Sequence, residues 1–312
     1  IANPAYTTTN GQPAFITFRE NAGQTNQAPG GFITASTGTS TNALRGNYFG
    51  QNGQVIPFQY GSFNSPVLNT NGTGSPVTRT VGGDWRVNDS GRRIGLAPKD
   101  DRWGVYGRTS FDVSDGLTLF AEGSYNKQEV FFNAGPNLGS ATLNTVGCTT
   151  VPVPTTCNAF ALQTLGAARL TGVNSISITT TAADLPFRGI NNKRQVQRYV
   201  IGAEGEFDAF GKAARWDIFG QYGRSDVREQ LRNIMHVTRM ANATNAAFAP
   251  AGNAGGYAVG SIQCLINVDT DTTNNDPTCV PLNRLGIGVA NPAAIDYVLG
   301  DPFRKQVLEQ YV

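Results

Sequence analysis

Residues 101–126, DRWGVYGRTSFDVSDGLTLFAEGSYN, decide the fold class. Trp103, Val105, Gly107, Thr109, Phe111 and Val113 share one parity, while Arg102, Tyr106, Arg108, Ser110 and Asp112 share the other. This is period-two alternation, the spacing of a strand whose successive side chains point to opposite faces. Ser114-Asp115-Gly116 supplies a tight turn. After it Leu117, Leu119, Ala121, Gly123 and Tyr125 alternate with Thr118, Phe120, Glu122, Ser124 and Asn126. Long strands joined by so short a turn predict an extended hairpin over 101–132.

The pattern repeats further along the chain. Tyr199, Ile201, Ala203, Gly205 and Phe207 face one way; Arg198, Gly202, Glu204, Glu206 and Asp208 face the other. A turn around Phe210-Gly211-Lys212 leads into Trp216, Ile218, Gly220 and Tyr222, alternating with Arg215, Asp217, Phe219 and Gln221. This predicts a second hairpin over 194–235, its last part too polar for lipid. Residues 1–100 read mainly as loop, with a short strand at 14–18 and a small hairpin. That hairpin runs from Asn47-Tyr48-Phe49 through an Asn52-Gly53 turn to 55–60; Asn-Gly suits a turn that needs positive φ twice. Residues 133–193 and 236–302 also read as loop, and 303–312 as the start of another strand or a short helix.

Composition agrees with strands joined by long polar loops. Hydrophobic residues make up 39% and charged residues 15% of the 312, against roughly 45–50% and 25% in ordinary soluble domains. The balance is Gly, with 37 residues, and abundant Thr and Asn. No stretch approaches the roughly 18 consecutive apolar residues of a helical span. The net charge of +2 is spread along the chain without a block of one sign, so nucleic acid is not an expected partner. His236 is the only histidine, which excludes a multi-histidine metal site; it reads as a polar residue on a strand extension or loop. The four cysteines fall into two local pairs without CxxC spacing. Cys148–Cys157 and Cys264–Cys279 are therefore expected as disulfides pinning exposed loops in an oxidising compartment.

Short turns alternating with long loops are the asymmetry of bacterial outer-membrane barrels. A soluble sandwich has shorter strands and turn signals every 8–12 residues. Trp103 and Phe111, Leu117 and Tyr125, and Tyr199 and Phe207 are each separated by eight positions. Eight residues at about 3.3 Å each, tilted by about 40°, climb roughly 20 Å, near the roughly 25 Å apolar band between aromatic girdles. Trp and Tyr suit such girdles, being apolar with one polar edge. The opposite face carries Arg108, Glu122, Glu204, Glu206, Arg215 and Asp217, which need water or ionic partners. The expected fold is all-β: an antiparallel transmembrane β-barrel segment with long extracellular loops.

The chain resembles the TonB-dependent outer-membrane receptors. The stretches that carry the resemblance come in order: Leu44-Arg45-Gly46, Phe49-Gly50, Phe58-Gln59-Tyr60-Gly61-Ser62 and Gly82-Gly83-Asp84-Trp85, then the hairpin from Asp101 to Tyr125. Arg198 to Gly205 follows, then Cys279-Val280-Pro281-Leu282-Asn283 with Cys264 upstream and Ala293-Ala294-Ile295-Asp296-Tyr297-Val298 downstream. The resemblance spans nearly the whole chain. It implies a 22-stranded barrel, an N-terminal plug with a TonB box, and import of a scarce nutrient powered through TonB. Ferric siderophores, haem, cobalamin and oligosaccharides are the typical substrates. No plug or TonB box is visible, the chain starts at Ile1 without a basic-then-apolar leader, and four clear strands cannot close a lumen. The chain therefore reads as an internal piece of one barrel domain in the bacterial outer membrane.

On this reading the turns at 114–116 and 210–212 face the periplasm and 133–193 face outside. The expected partners are TonB, outer-membrane lipid and a small-molecule or oligosaccharide ligand, with no cofactor. Aromatic and amide residues suit such ligands, which nominates Tyr48, Phe49, Phe58, Gln59, Tyr60, Trp85, Phe131 and Phe132. A passive porin and a secreted extracellular β protein are the alternatives. An enzyme is not expected: the chain has no GxSxG, no P-loop, no GxGxxG in strand–helix context and no metal-ligand spacing.

Overall fold

The computed structural model describes residues 3, 6–11, 14–15, 21–39, 41–61 and 79–312. Residues 16–18 of the strand expected at 14–18 lie outside them. In chain order the first strands are β1 (Ala22–Gln24), β2 (Phe32–Gly38), β3 (Asn47–Phe49), β4 (Val55–Pro57) and β5 (Arg79–Val81). Then come β6 (Lys99–Ser114), β7 (Leu117–Gly135), β8 (Gly139–Asn144), helix α1 (Ala159–Leu170), β9 (Val173–Thr180), β10 (Arg188–Ala209) and β11 (Lys212–Arg232). The last elements are β12 (Ile234–Met235), α2 (Val237–Thr244), β13 (Ala246–Phe248), β14 (Ile262–Cys264), α3 (Pro292–Val298), β15 (Leu299–Gly300) and β16 (Phe303–Tyr311). Three two-stranded ladders pair β1 with β5, β12 with β15, and β13 with β14.

The chain is mostly antiparallel β and divides into two compact units, each drawn from separate stretches. One comprises Gly95–Ala134, Phe187–Ile234 and Asp301–Val312. It is a single sheet in the order β16-β11-β10-β7-β6, so consecutive long strands are neighbours. Both expected hairpins are present: β6 with β7 over 99–135, longer at both ends than read, and β10 with β11 over 188–232, starting earlier than read and ending before the separate β12. Phe210 (φ 54°) and Gly211 (φ 77°) give the second hairpin its two-residue turn of positive φ. The segment from 303 is a strand, paired with β11 from Phe303↔Gln230 to Tyr311↔Tyr222. Edge strands β6 and β16 are not paired with each other, so among the described residues the sheet is open.

The other unit comprises Ile1–Ile94, Gly135–Pro186 and Met235–Gly300. These stretches, expected as loop, carry a second five-stranded sheet, β4-β3-β2-β9-β8, and the three α-helices of the described residues. The Asn52-Gly53 turn joins β3 to β4 as expected, with φ of 53° and 78° and a hydrogen bond from Gln54 N–H to the Gln51 carbonyl. Gly53 is required twice over: a Cβ there would also lie 3.0 Å from the Leu285 carbonyl oxygen. Asn158 caps α1 by accepting from Ala161 N–H (3.1 Å), and its amide donates to the Thr244 carbonyl (2.9 Å). A buried asparagine is tolerated because both ends are bonded. The helix packs Ala161, Leu165 and Leu170 against Ile33, Phe49, Ile176 and Ile178. His236, expected on a strand extension or loop, caps α2: its Nδ1 accepts from Arg239 N–H.

Both cysteine pairs are bonded, with Cα separations of 5.0 Å for Cys148–Cys157 and 6.2 Å for Cys264–Cys279. They do not pin exposed loops. All four sulfur residues are buried: Cys148 and Cys157 lie in the core beside α1, and Cys264 and Cys279 in a second core with Met240, Leu282, Tyr297 and Val298. Short spacing reveals that two cysteines can pair but not that helices close over them. Beside the second bridge, Asp276 accepts from Tyr297 O–H (2.7 Å) and from Thr278 N–H (2.9 Å). Burial, then the neighbouring Asp276, pushes the Tyr297 phenol up to about 12.

Two outcomes follow from these cores. A phenol that holds its proton more tightly when folded stabilises fully below its unfolded value of about 10, and that stability is lost as pH rises through about 12. Thermal melts from pH 9 to 12 should therefore fall for the native chain and flatten for Tyr297→Phe. Reducing both disulfides should loosen the unit that contains them, since each bridge constrains the unfolded chain by around 3 kcal/mol in the loop-entropy model. Hydrogen exchange after reduction should speed up in α1, β9 and α3 while the amides of β10 and β11 stay protected.

Candidate functional site

Tyr48, Phe58 and Tyr60 come together on the β3–β4 hairpin and the chain that follows it. Phe58 is buried and meets Phe32 edge-on at 5.5 Å, Tyr48 at 6.2 Å and Tyr60 at 4.9 Å between ring centres. Tyr48 and Tyr60 remain partly open to solvent. Burial, reinforced by the Asp84 charge, raises the Tyr48 phenol. Burial also raises that of Tyr60, with Arg45 opposing. Exposed Gln59 is fixed by its backbone: its N–H donates to Asp84 Oδ2 and its carbonyl accepts from Asp84 N–H, both at 2.8 Å. The Trp85 ring lies under the Arg86 guanidinium at 4.7 Å. The assembled residues make an aromatic surface with phenol and amide edges, the chemistry that stacks on and hydrogen-bonds to sugars and aryl groups.

The other nominated residues lie elsewhere. Phe49 is 1% exposed and points into the core beside Leu44 and Leu285, where its ring meets no solvent. Phe131 and Phe132 belong to β7 in the other unit and, as neighbours on one strand, point to opposite faces of its sheet. Among the described residues, no group of three or more His, Cys, Asp or Glu is placed to hold a metal ion.

Two arrangements in the long-stranded sheet were not visible from single residues. On the charged face Arg108 meets Glu122 at 2.9 Å and Glu204 at 3.6 Å, and Arg198 meets Glu122 at 3.5 Å and Gln221 at 2.8 Å. One network thus crosses four strands, with Arg108 also 5.0 Å from the Phe120 ring. On the other face Trp103, Tyr125, Tyr199, Tyr222 and Tyr311 form a row with one member from each strand. Ring centres are 5.2 Å apart for Trp103–Tyr125, 6.4 Å for Tyr199–Tyr222 and 5.1 Å for Tyr222–Tyr311. Tyr199 lies against Gly123, within 3.6 Å of where a Cβ would be, which sets β10 beside β7 at this level.

The row divides its face. Toward the short turns the surface is apolar and open: Phe111 is 70%, Ile201 70% and Ile218 65% exposed. Away from the turns the same face turns ionic, with Glu129 bridging Lys127 (2.9 Å) and Lys193 (3.1 Å), and Glu309 on Arg224 (3.2 Å). The sequence carried part of this signal, since Trp103, Tyr125, Tyr199 and Tyr222 each fall on the apolar face of their own strand, but aligning them needs the register between strands.

Comparison with protein-family models, with curated proteins and with solved structures finds no match for this chain.

Proposed function

We propose that this chain is part of an outer-membrane β-barrel receptor of the TonB-dependent type. Its five long strands are consecutive wall strands, and the chain between them captures a small-molecule or oligosaccharide ligand on the external side for TonB-coupled import. The observation that carries the membrane reading is the aromatic row, with open apolar surface on one side of it and ion pairs on the other. In water such a face is an aggregation hazard; against hydrocarbon it is the expected one, with phenol and indole edges at the interface. No helix among the described residues is long and apolar enough to cross a membrane, so strands would do so. The Arg108–Glu122–Arg198 network suits a wetted lumen, where charges keep both partners and water. The edges β6 and β16, unpaired among the described residues, call for further strands to complete a wall. The import reading draws on the ordered series of stretches similar to TonB-dependent receptors and on the aromatic surface formed by Tyr48, Tyr60 and their neighbours.

Arginine scanning tests the membrane half. Ile201→Arg and Ile218→Arg each place a charge in the apolar band and should cost about 2–4 kcal/mol of barrel stability. Asp217→Arg lies on the charged face opposite Glu204 and should be tolerated, because it replaces a like-charge pair with an opposite one. Heat-modifiability of the folded chain on gels reads this out, and equal tolerance at all three positions would defeat a membrane-spanning sheet.

The import half is tested by identifying the ligand that co-purifies with the full-length receptor by mass spectrometry. Its accumulation is then followed in cells with and without TonB. Uptake should fall to background without TonB; unchanged uptake would indicate a passive pore.

A further inference from the structure

The unit that holds both disulfides also contains a cleft of about 510 Å³ between β8 and α2. Leu143 of β8, Met235, Met240 and Ala241 give it apolar walls, and Asn144 and Asn245 give it amides. Among the described residues lining it, Arg284 carries the only charge. The Arg284 guanidinium is partly buried and tightly placed. Nη1 donates to Thr244 Oγ1 (3.4 Å), and Nη2 rests over Gly139, where a Cβ would come within 2.7 Å of it.

Among the described residues, no carboxylate pairs with this cation. Asp184 borders a small adjoining cavity of about 20 Å³ that Arg284 also touches. Its oxygens are taken by three backbone N–H groups, those of Gly288 (2.7 Å), Val289 (2.9 Å) and Ala290 (2.9 Å). A charge removed from water without a partner is costly, and proteins ordinarily pair it. Desolvation lowers the guanidinium to about 10, which still leaves it protonated at neutral pH.

We propose that this cleft binds an organic carboxylate, with the carboxylate on Arg284 and a compact apolar body against Met235, Met240 and Leu143. The planar guanidinium fork matches a carboxylate in two parallel hydrogen bonds. One cation in an apolar setting balances one negative charge, so a dianion such as phosphate would retain an uncompensated charge there. All the lining residues lie within one unit, so the assignment does not rest on the membrane reading.

Calorimetric titration of the full chain at neutral pH with benzoate, its neutral isostere benzamide and inorganic phosphate tests this. Benzoate should bind with Kd on the order of 0.1–1 mM, as expected for nine well-placed heavy atoms. Benzamide and phosphate should bind at least tenfold more weakly. Arg284→Gln should lose at least tenfold for benzoate, and Gly139→Ala, which displaces the guanidinium, should weaken it too. Should Arg284→Gln fail to fold, the comparison of benzoate with benzamide on the native chain decides alone. Equal binding of benzoate and benzamide, phosphate binding as tightly as benzoate, undiminished binding by folded Arg284→Gln, or no benzoate binding at 10 mM would each overturn the proposal.

Discussion

The pairing of β10 with β11 runs without a register shift from Gly189↔Arg232 to Ala209↔Lys212. Everything else in the long-stranded sheet depends on that ladder holding its register. Because side chains alternate, a slip of one residue would send Ile218 and Tyr222 to the charged face and Asp217 and Gln221 to the apolar one. Each strand therefore has one register in which Arg108 reaches Glu122 and Tyr222 reaches Tyr311. Two-faced strands of this length specify their own pairing, and the turn at Phe210-Gly211 fixes where the count begins.

The second unit solves a different problem. Its strands are two to eight residues long and none is self-sufficient. Its stability comes from two cores organised around sulfur, one under α1 and one between α2 and α3. Polar groups in and beside these cores are bonded: buried Asn158 to the backbone on both sides, half-buried Asp276 to Tyr297 and Thr278, and half-buried Asp184 to three successive N–H groups. Arg284 departs from this pattern: among the described residues no carboxylate meets its guanidinium, and the Thr244 hydroxyl accepts from it.

The long hairpins were legible in the sequence because period two is a local signal that Trp103 to Tyr125 and Tyr199 to Tyr222 display without help from distant residues. The Asn52-Gly53 turn was legible for the same reason. The packed unit was not, because β2 finds its partner β9 more than a hundred residues away, and no local feature announces that pairing. Some signals were present all the same: Asn158 ahead of Ala161 and Leu165 is a helix start, and Ile176, Ile178 and Thr180 alternate as a half-buried strand. Gly166, with φ of 76°, interrupts the helix and blurs its period. Of the nominated site residues, Tyr48, Phe58 and Tyr60 came together because they share a hairpin and its continuation. Phe49 is drawn inward by the core, and nothing in its neighbourhood on the chain distinguishes it from Tyr48.

The close approach of Gly53 to Leu285 has a consequence for synthesis. The core around Ile33 and Phe49 is completed by Leu285, and the Gly286 N–H donates to the carbonyl of Gly30. Contacts between segments so far apart in sequence form late and slowly, because most of the intervening polypeptide must be positioned first. A nascent chain lacking residues beyond about 280 thus exposes the apolar side of β2 and β3, however much of the chain has already emerged. A product that stops short of Leu285 is marked by that open core for proteolysis or aggregation.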